Sequence, residues 1–527
     1  ARPIVGIANT YSDYNSCHAT VPKLVDAIKR GVMLAGGLPF EFPVISLHES
    51  FCYPTSMYLR NLMSIDTEEM IRAQPMDAVV IIGGCDKTVP ALFMGAASAG
   101  APTILEVTGP MLTGSYQGQR VGACTDCRSF WGRFRAGEIR EEQLPDITDQ
   151  LGPTPGTCMV MGTASTMALM SEALGIMLPG GAPIPAVQSQ RLRHAEQTGA
   201  QAVAMAGSGL SLAKVVTEKS IENALRVLLA IGGSTNGLIH LTAMAGRLGI
   251  EVSLERVDEL SRETPVIVDL KPSGEHYMQE LHEAGGFATI LRELAPLMHM
   301  DEKTVTGQTL AQVLEEAPQW EQDVVRTRND PLSNEGGLAV LRGNLAPGGA
   351  IIKQSASSGA LRTHKGRAIV FESVEDLSNR IDDPDLEVTA DDILVMRNAG
   401  PVGAPGMPEA GYLRMPRKLA QQGVKDMVRI SDARMSGTAF GSIVLHVTPE
   451  AAIGGPLALV ETGDTIVLDI PGRRLDVELD EATLKQREKA LEAKPARKTP
   501  QRGYAQLLER TILQADKGCD FDFLTGK

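Results

Sequence analysis

The stretch AVVIIGGCDKTVPA, residues 78–91, reads as a strand, a tight turn and the start of a helix. AVVII (78–82) is an unbroken apolar run, as expected of a strand buried on both faces, and Gly83-Gly84 ends it. Working outward, PIVGIA (3–8) is a second short apolar strand. Residues 20–35 form a helix with Val21, Leu24, Val25, Ile28 and Val32 on one stripe and Gly36-Gly37 as its stop. Residues 38–47 are a third strand candidate and 54–74 have helical character. On the other side, 89–99 is a helix of small residues and 101–107 a further strand. This βαβα order implies a parallel sheet with helices on both faces.

Beyond it the chain is helix-rich, at 163–174, 221–230 and 235–248. From about Gly336 short apolar runs separated by Gly and Pro take over, at 338–341, 350–353, 368–372, 392–396, 442–447 and 465–470. IPGR (470–473) turns the last run toward 475–479, a hairpin signal. The fold class is therefore α/β, with an N-terminal α/β/α domain (1–335) and a mainly β, barrel-like C-terminal domain (336–527). The charged segment 481–502 reads as a solvated helix plus linker, and 504–513 as a final amphipathic helix.

Composition narrows the function. With 50 basic and 64 acidic residues the formal charge is −14, which argues against a nucleic-acid or anionic-membrane surface. No apolar run reaches the roughly 18 residues of a membrane span. Seven thinly spread Cys do not make a secreted disulfide framework. Reduced thiols in the cytoplasm, available as ligands, are the expectation. The chain starts Ala1-Arg2-Pro3 without Met, so a targeting segment is not judged.

In open parallel sheets ligands bind beyond the carboxyl ends of the strands. There the sequence places Cys17-His18, then His48-Glu49, then Cys85-Asp86-Lys87. Cys158 is expected to open a Gly/Ser/Thr-rich helix, where the dipole favours a thiolate. Residues 83–88 are not a Walker A loop, because Asp86 and Ile81 stand where that loop requires Gly. Cys124 and Cys127 form a lone C-x-x-C, read as loop packing, and His18 and His48 are read as polar neighbours rather than ligands. GPVGAPGMPE (400–409) and DARMSG (432–437) put Glu409 and Ser436 in loops dense in special-backbone residues, a common setting for sites.

Together these motifs make the chain resemble the iron–sulfur dihydroxy-acid and sugar-acid dehydratases. NSCHATVP (15–22), GGCDKTVPA (83–91), PGTCMVMGTASTMA (155–168), IGGSTNGLIHL (231–241), LRGNLAPGGAIIK (341–353), GPVGAPGMPE (400–409) and SDARMSGTAFG (431–441) carry the resemblance. LHESFCYPTSMYLRN (47–61), GACTDCRSFW (122–131) and GCDFDF (518–523) are similar to the aldonate branch, whose substrates include L-arabinonate and D-xylonate. The resemblance implies a [2Fe–2S] cluster on Cys17, Cys85 and Cys158. It also implies Mg²⁺ on Glu49, Asp86, Glu409 and Lys87, with Lys87 carbamylated because an ammonium cannot ligate a cation, and Ser436 as base. The implied reaction is loss of water from a small sugar acid to give a 2-keto-3-deoxy acid. A homodimer or homotetramer is implied, with no nucleic-acid or membrane partner. Branched dihydroxy acids and phosphogluconate are the alternative substrates, and a non-catalytic redox sensor the alternative class. Thr163, Ser165 and Asn236 are candidates for reading distal hydroxyls.

Overall fold

The computed structural model describes residues 2–493, 495 and 497–526. Lys494 and Ala496, within the segment read as helix plus linker, lie outside the described residues. Strands β1 (Ile4–Asn9), β2 (Leu38–Pro43), β3 (Ala78–Gly83) and β4 (Thr103–Val107) form a parallel sheet in the order β2-β1-β3-β4. Every residue of β3 is buried, as its unbroken apolar run requires. Helix α1 (Val21–Leu34) has Pro22 in its first turn, and Gly36 comes after it at φ +89°, a left-handed position that glycine adopts without strain.

The strand order fixes where a ligand can sit. From β1 the chain moves outward to β2, then returns past β1 to β3 and continues to β4. Right-handed crossovers therefore place α1 on one face, and α2 (Ser56–Ala73) with α3 (Thr88–Ala99) on the other. The direction reverses between β1 and β3, and the crevice beyond their carboxyl ends is the expected binding position of such a sheet. Residues 15–18 and 84–87 occupy it.

After the small hairpin of β5 (Gly114–Tyr116) and β6 (Gln119–Val121) comes α4 (Thr125–Ala136), which meets the C-terminal part through Thr125 and Arg135, and then further helices. The C-terminal part is a closed eight-stranded barrel. Its strands are β7 (Ala339–Gly343), β8 (Ala346–Ile352), β9 (Thr363–Phe371), β10 (Ile393–Met396), β11 (Arg429–Ser431), β12 (Ile443–Thr448), β13 (Thr465–Asp469) and β14 (Arg474–Val477), closing in the order β10-β11-β12-β8-β7-β14-β13-β9. Ile352, Val370, Val395, Ile430, Val444, Ile466 and Leu475 belong to its core. β11 has no counterpart among the expected strands, because three residues are too few for a periodic signal.

The C-terminal tail returns to the first domain. Arg60 donates to the carbonyls of Gly518 and Cys519 (2.9 and 2.8 Å), and Arg247 pairs with Asp520 at 2.5 Å. Two segments that carry the aldonate-branch resemblance, 47–61 and 518–523, thus interlock. Among the described residues no helix is long and apolar enough to cross a membrane.

Candidate active site

Cys17 lies in the short turn Ser16–His18 after β1, and Cys85 two residues past β3. Their sulfurs and a ring nitrogen of His48 lie within 4.8 Å of one another. Hydrogen bonding to Cys85, burial, and the Cys85, Cys158 and Asp86 charges hold the Cys17 thiol well above its usual range. Cys158 is raised in the same way, chiefly by Cys124, then by burial and by Asp86 and Cys85. The thiols at 17, 85 and 158 therefore form one mutually interacting group. Three converging thiols are a donor set that an iron centre accepts.

Two expectations change here. Cys158 does not open a helix: the helix begins at Thr163, after Gly162, and residue 157 is held instead as a bridge partner of Pro110. The dipole argument therefore fails, and the Cys158 thiol is pushed up rather than down. Nor is Cys124 mere loop packing. It precedes α4, and its Sγ stands 3.6 Å from Cys158 Sγ. Cys127, nearly one turn further along α4, packs with Val121 and Ile147 and lines the cleft beside Glu409 rather than meeting Cys158, so the C-x-x-C does not act as a pair.

Oxygen donors gather beside the sulfurs because Cys85 and Asp86 are consecutive. Carboxylate oxygens of Glu49, Asp86 and Glu409 lie within 4.8 Å of one another. Lys87, fully buried, sits among them with Nζ 2.9 Å from Glu49, 3.5 Å from Asp86 and 3.5 Å from Glu409. Arg434 adds a second cation, 2.5 Å from Glu409 and 3.2 Å from Glu49. Against the burial that opposes it, Lys87 and Arg434 hold the Glu49 carboxyl well below the usual range. Burial pushes Asp86 up to about 6, with Lys87 opposing and the Glu409 and Glu49 charges adding to it. Three carboxylates thus face two cations, and Asp86 is the one whose burial outweighs its pairing. The three converging carboxylates are oxygen donors of the kind that Mg²⁺ takes.

Ser436 is held close to this cage. Arg434, two residues before it, grips Glu409 and Glu49. Gly437, just after it, packs so closely on Ser234 that a Cβ would lie 2.5 Å from the Ser234 Cβ. Ser436 Oγ is 2.8 Å from Thr438 Oγ1, Lys353 Nζ donates to the Gly437 carbonyl at 3.0 Å, and Thr125 donates to the Thr438 carbonyl at 2.9 Å. Arg434 and Lys353 stand within segments that the sequence marks, 431–441 and 341–353, but nothing local assigns them a role. Asn236 and Thr163 stand at the cage: Asn236 donates to Glu409 at 2.8 Å and to Thr163 at 3.3 Å. Ser165 donates to the Val160 carbonyl at 3.0 Å.

His18 is a polar neighbour, as expected. Its Nε2 accepts the Cys85 N–H at 3.0 Å, so Nδ1 carries the proton and donates to the Thr10 carbonyl at 3.0 Å. Burial lowers its pKa from 6.5 to about 4. Below pH 6.5 the unfolded chain takes up a proton that the folded one refuses, so stability falls as the pH drops toward 4 and then levels off. This group alone accounts for about 3 kcal/mol over that window. Thermal unfolding of the metal-free protein at pH 7.5 and pH 5 is expected to show the loss, and His18→Gln to shrink it. Equal pH dependence in the two proteins would contradict this role.

With this geometry in view the family can be tested. Sequence profiles of the dihydroxy-acid/6-phosphogluconate dehydratases match nearly the whole chain, the N-terminal one over residues 2–313 and the C-terminal one over 323–519. The chain belongs to this family. It is a dehydratase, a hydro-lyase. Among relatives of this dehydratase, the L-arabonate dehydratase of Azospirillum brasilense is 48% identical, covering 100% of this chain and 91% of the relative. The 6-deoxy-6-sulfo-D-gluconate dehydratase of Pseudomonas putida is 44% identical over 99% and 90%. The dihydroxy-acid dehydratase of Ignicoccus hospitalis is 40% identical over 98% and 94%.

Proposed function

We propose that the protein dehydrates an aldonate of five or six carbons, such as L-arabinonate or D-xylonate, to the 2-keto-3-deoxy acid. One observation carries the reading: consecutive residues Cys85, Asp86 and Lys87 feed a thiol cluster and a carboxylate cage that share one loop. Removing the C2 proton and the C3 hydroxyl of a 2,3-dihydroxy acid requires help at two adjacent carbons, and two adjoining centres suit that task. The 48% identity to an arabonate dehydratase, against 40% to a dihydroxy-acid dehydratase, favours an aldonate over a branched acid.

Cys17, Cys85 and Cys158 would hold a [2Fe–2S] cluster, and Glu49, Asp86, Glu409 and Lys87 would hold Mg²⁺. When bound, these groups supply Lewis acidity to the departing hydroxyl and to the carboxylate and C2 oxygens. Ser436 Oγ, as the alkoxide left once its own proton has gone to solvent, takes the C2 proton and returns to the neutral hydroxyl. Thr438 Oγ1 fixes its direction, and Arg434 ties its loop to Glu49 and Glu409. Carbamylation of Lys87 would turn the cage's central cation into an anion, a change of two charges that a divalent ion would offset. Lys87 Nζ stands among the three carboxylates, where a carbamate would add its oxygens to theirs, and the amine must first lose the proton that those carboxylates favour.

Assembly as a homodimer or homotetramer is part of the proposal. Tyr14, Phe51 and Tyr53, exposed at 78%, 68% and 95%, belong to the loops that carry Cys17 and Glu49, where a second subunit could cover them. Free thiols at all seven cysteines suit a reducing, cytoplasmic setting.

The test is an anaerobic assay of the cluster-loaded, Mg²⁺-supplied enzyme across C5 and C6 aldonates and 2,3-dihydroxyisovalerate, with the visible spectrum recorded alongside. A 2-keto-3-deoxy acid from at least one aldonate, faster than the branched keto acid, is the expected result. Turnover of the branched acid alone would replace this reading with the branched-chain one.

A further inference from the structure

A cleft of about 400 Å³ opens beside the carboxylate cage, with Glu409 in its wall. Its lining is cationic, although the protein as a whole carries −14. Most of those cations are already engaged. Arg135 makes two bonds to Asp382 (2.8 and 2.7 Å), Arg414 lies 3.9 Å from the same carboxylate, and Arg429 pairs with Asp426 at 2.7 Å. Arg128 is different. Its guanidinium shares the Tyr412 ring with that of Arg429, at 5.4 and 5.3 Å from the centroid, but has no carboxylate partner among the described residues. Its Nε is buried without a hydrogen-bond partner. Lys425, at the rim of the same cleft, is also without an ion pair among the described residues.

The position of Arg128 is fixed by the site itself. Thr125, one turn earlier on α4, donates to the Thr438 carbonyl, next to the Ser436 loop. Residues three apart share a helix face, so Arg128 lies on the face that meets this loop. Tyr412, beneath the guanidinium, stands three residues after Glu409. A sugar acid with its carboxylate end at the cage would therefore extend its far end toward Arg128. A partly buried guanidinium with free donors, stacked on an aromatic ring, is built to receive an anion.

We infer that Arg128 is a specificity-determining residue whose guanidinium receives a second anionic group at the end of the sugar acid remote from the reacting carbons. This rests on the aldonate reading and narrows it to the form of the far end. Sulfonate, phosphate and carboxylate share the required chemistry, and the substrate arms tell them apart.

The experiment compares kcat/KM of the holoenzyme on D-gluconate with that on 6-deoxy-6-sulfo-D-gluconate, 6-phospho-D-gluconate and D-glucarate, in wild type, Arg128→Gln and Arg128→Lys. Titration calorimetry of each acid runs in parallel, and the visible spectrum serves as the control for folding. For at least one acid with a terminal anion the wild-type preference over gluconate should be about tenfold or more. In Arg128→Gln that ratio should collapse toward one, mostly through KM, and Arg128→Lys should recover part of it. A wild type without such a preference, or a ratio that Arg128→Gln leaves unchanged, overturns the inference while leaving aldonate dehydration standing. If none of these four acids is dehydrated, and no C5 aldonate is either, the aldonate reading itself fails. Calorimetry then decides separately: terminal-anion binding weakened about tenfold by Arg128→Gln keeps the anion site, and unchanged binding removes it.

Discussion

Ser436→Ala is expected to lower kcat by about 10²–10⁴ while the visible spectrum and the Mg²⁺ content stay those of wild type. The size reflects what a positioned general base contributes. The separation of effects comes from the geometry. Ser436 makes its side-chain contact with Thr438, not with a thiol or a carboxylate of the cage. Deleting its Oγ leaves Glu49, Asp86, Glu409 and the sulfurs with all their partners. Arg434 still ties the loop to the cage, and Lys353 still holds the Gly437 carbonyl, so the backbone keeps its place. The loss should fall on kcat rather than KM, because a proton acceptor acts in the transition state. A variant that keeps more than a tenth of wild-type turnover, with both metals present, would remove Ser436 from the chemistry. Proton removal would then have to be assigned to another group around the cage.

The parts of this site that are legible in the sequence are those that local rules control. A strand buried on both faces must be apolar throughout, so β3 is visible as AVVII. The residues just after such a strand lie at a predictable edge of the sheet, and this brings Cys17, Glu49, Cys85, Asp86 and Lys87 into view. Cys158 is misplaced by its surroundings. A Gly/Thr/Ser-rich run looks like a helix start, yet Gly156 at φ +134°, the bridge from residue 157 to Pro110 and a bend over 159–162 delay the helix to Thr163. Arg434 and Lys353 are invisible for another reason. A basic residue is usually solvated, and only a fold that brings Arg434 to Glu49, 385 residues away, buries both Arg434 and its charge beside the cage. The C-x-x-C misleads because its spacing suggests a shared metal. On α4 that spacing is nearly one helical turn, yet Cys124 meets Cys158 and Cys127 faces the adjoining cleft.

The cysteines should divide three to one. In Cys17→Ser, Cys85→Ser and Cys158→Ser, iron content, visible absorbance and activity are expected to disappear together. The activity loss should be about 10³ or more, since a Lewis acid contributes several kcal/mol and each 1.4 kcal/mol is a factor of ten. Cys124→Ser is expected to retain the absorbance. The four sulfurs are near one another, so proximity alone does not make this division. Position in the fold does. Cys17 and Cys85 stand at the reversal point of the sheet, on turns set by β1 and β3, and Cys85 leads directly into the cage residues Asp86 and Lys87. Cys158 interacts with Cys85 and Asp86 as well as with Cys124. Cys124 comes from the start of α4, from the side where Arg128 and the cleft lie, and Cys158 together with Arg128 lowers its thiol pKa, against burial. A permanent fourth thiolate from that side would close the position that the departing hydroxyl needs, facing the cleft through which a sugar acid would enter. Loss of colour in Cys124→Ser equal to that in Cys158→Ser would show a fully ligated centre. Dehydration would then need a thiolate that moves aside when substrate arrives, and a spectral change on adding an aldonate to wild type would reveal it.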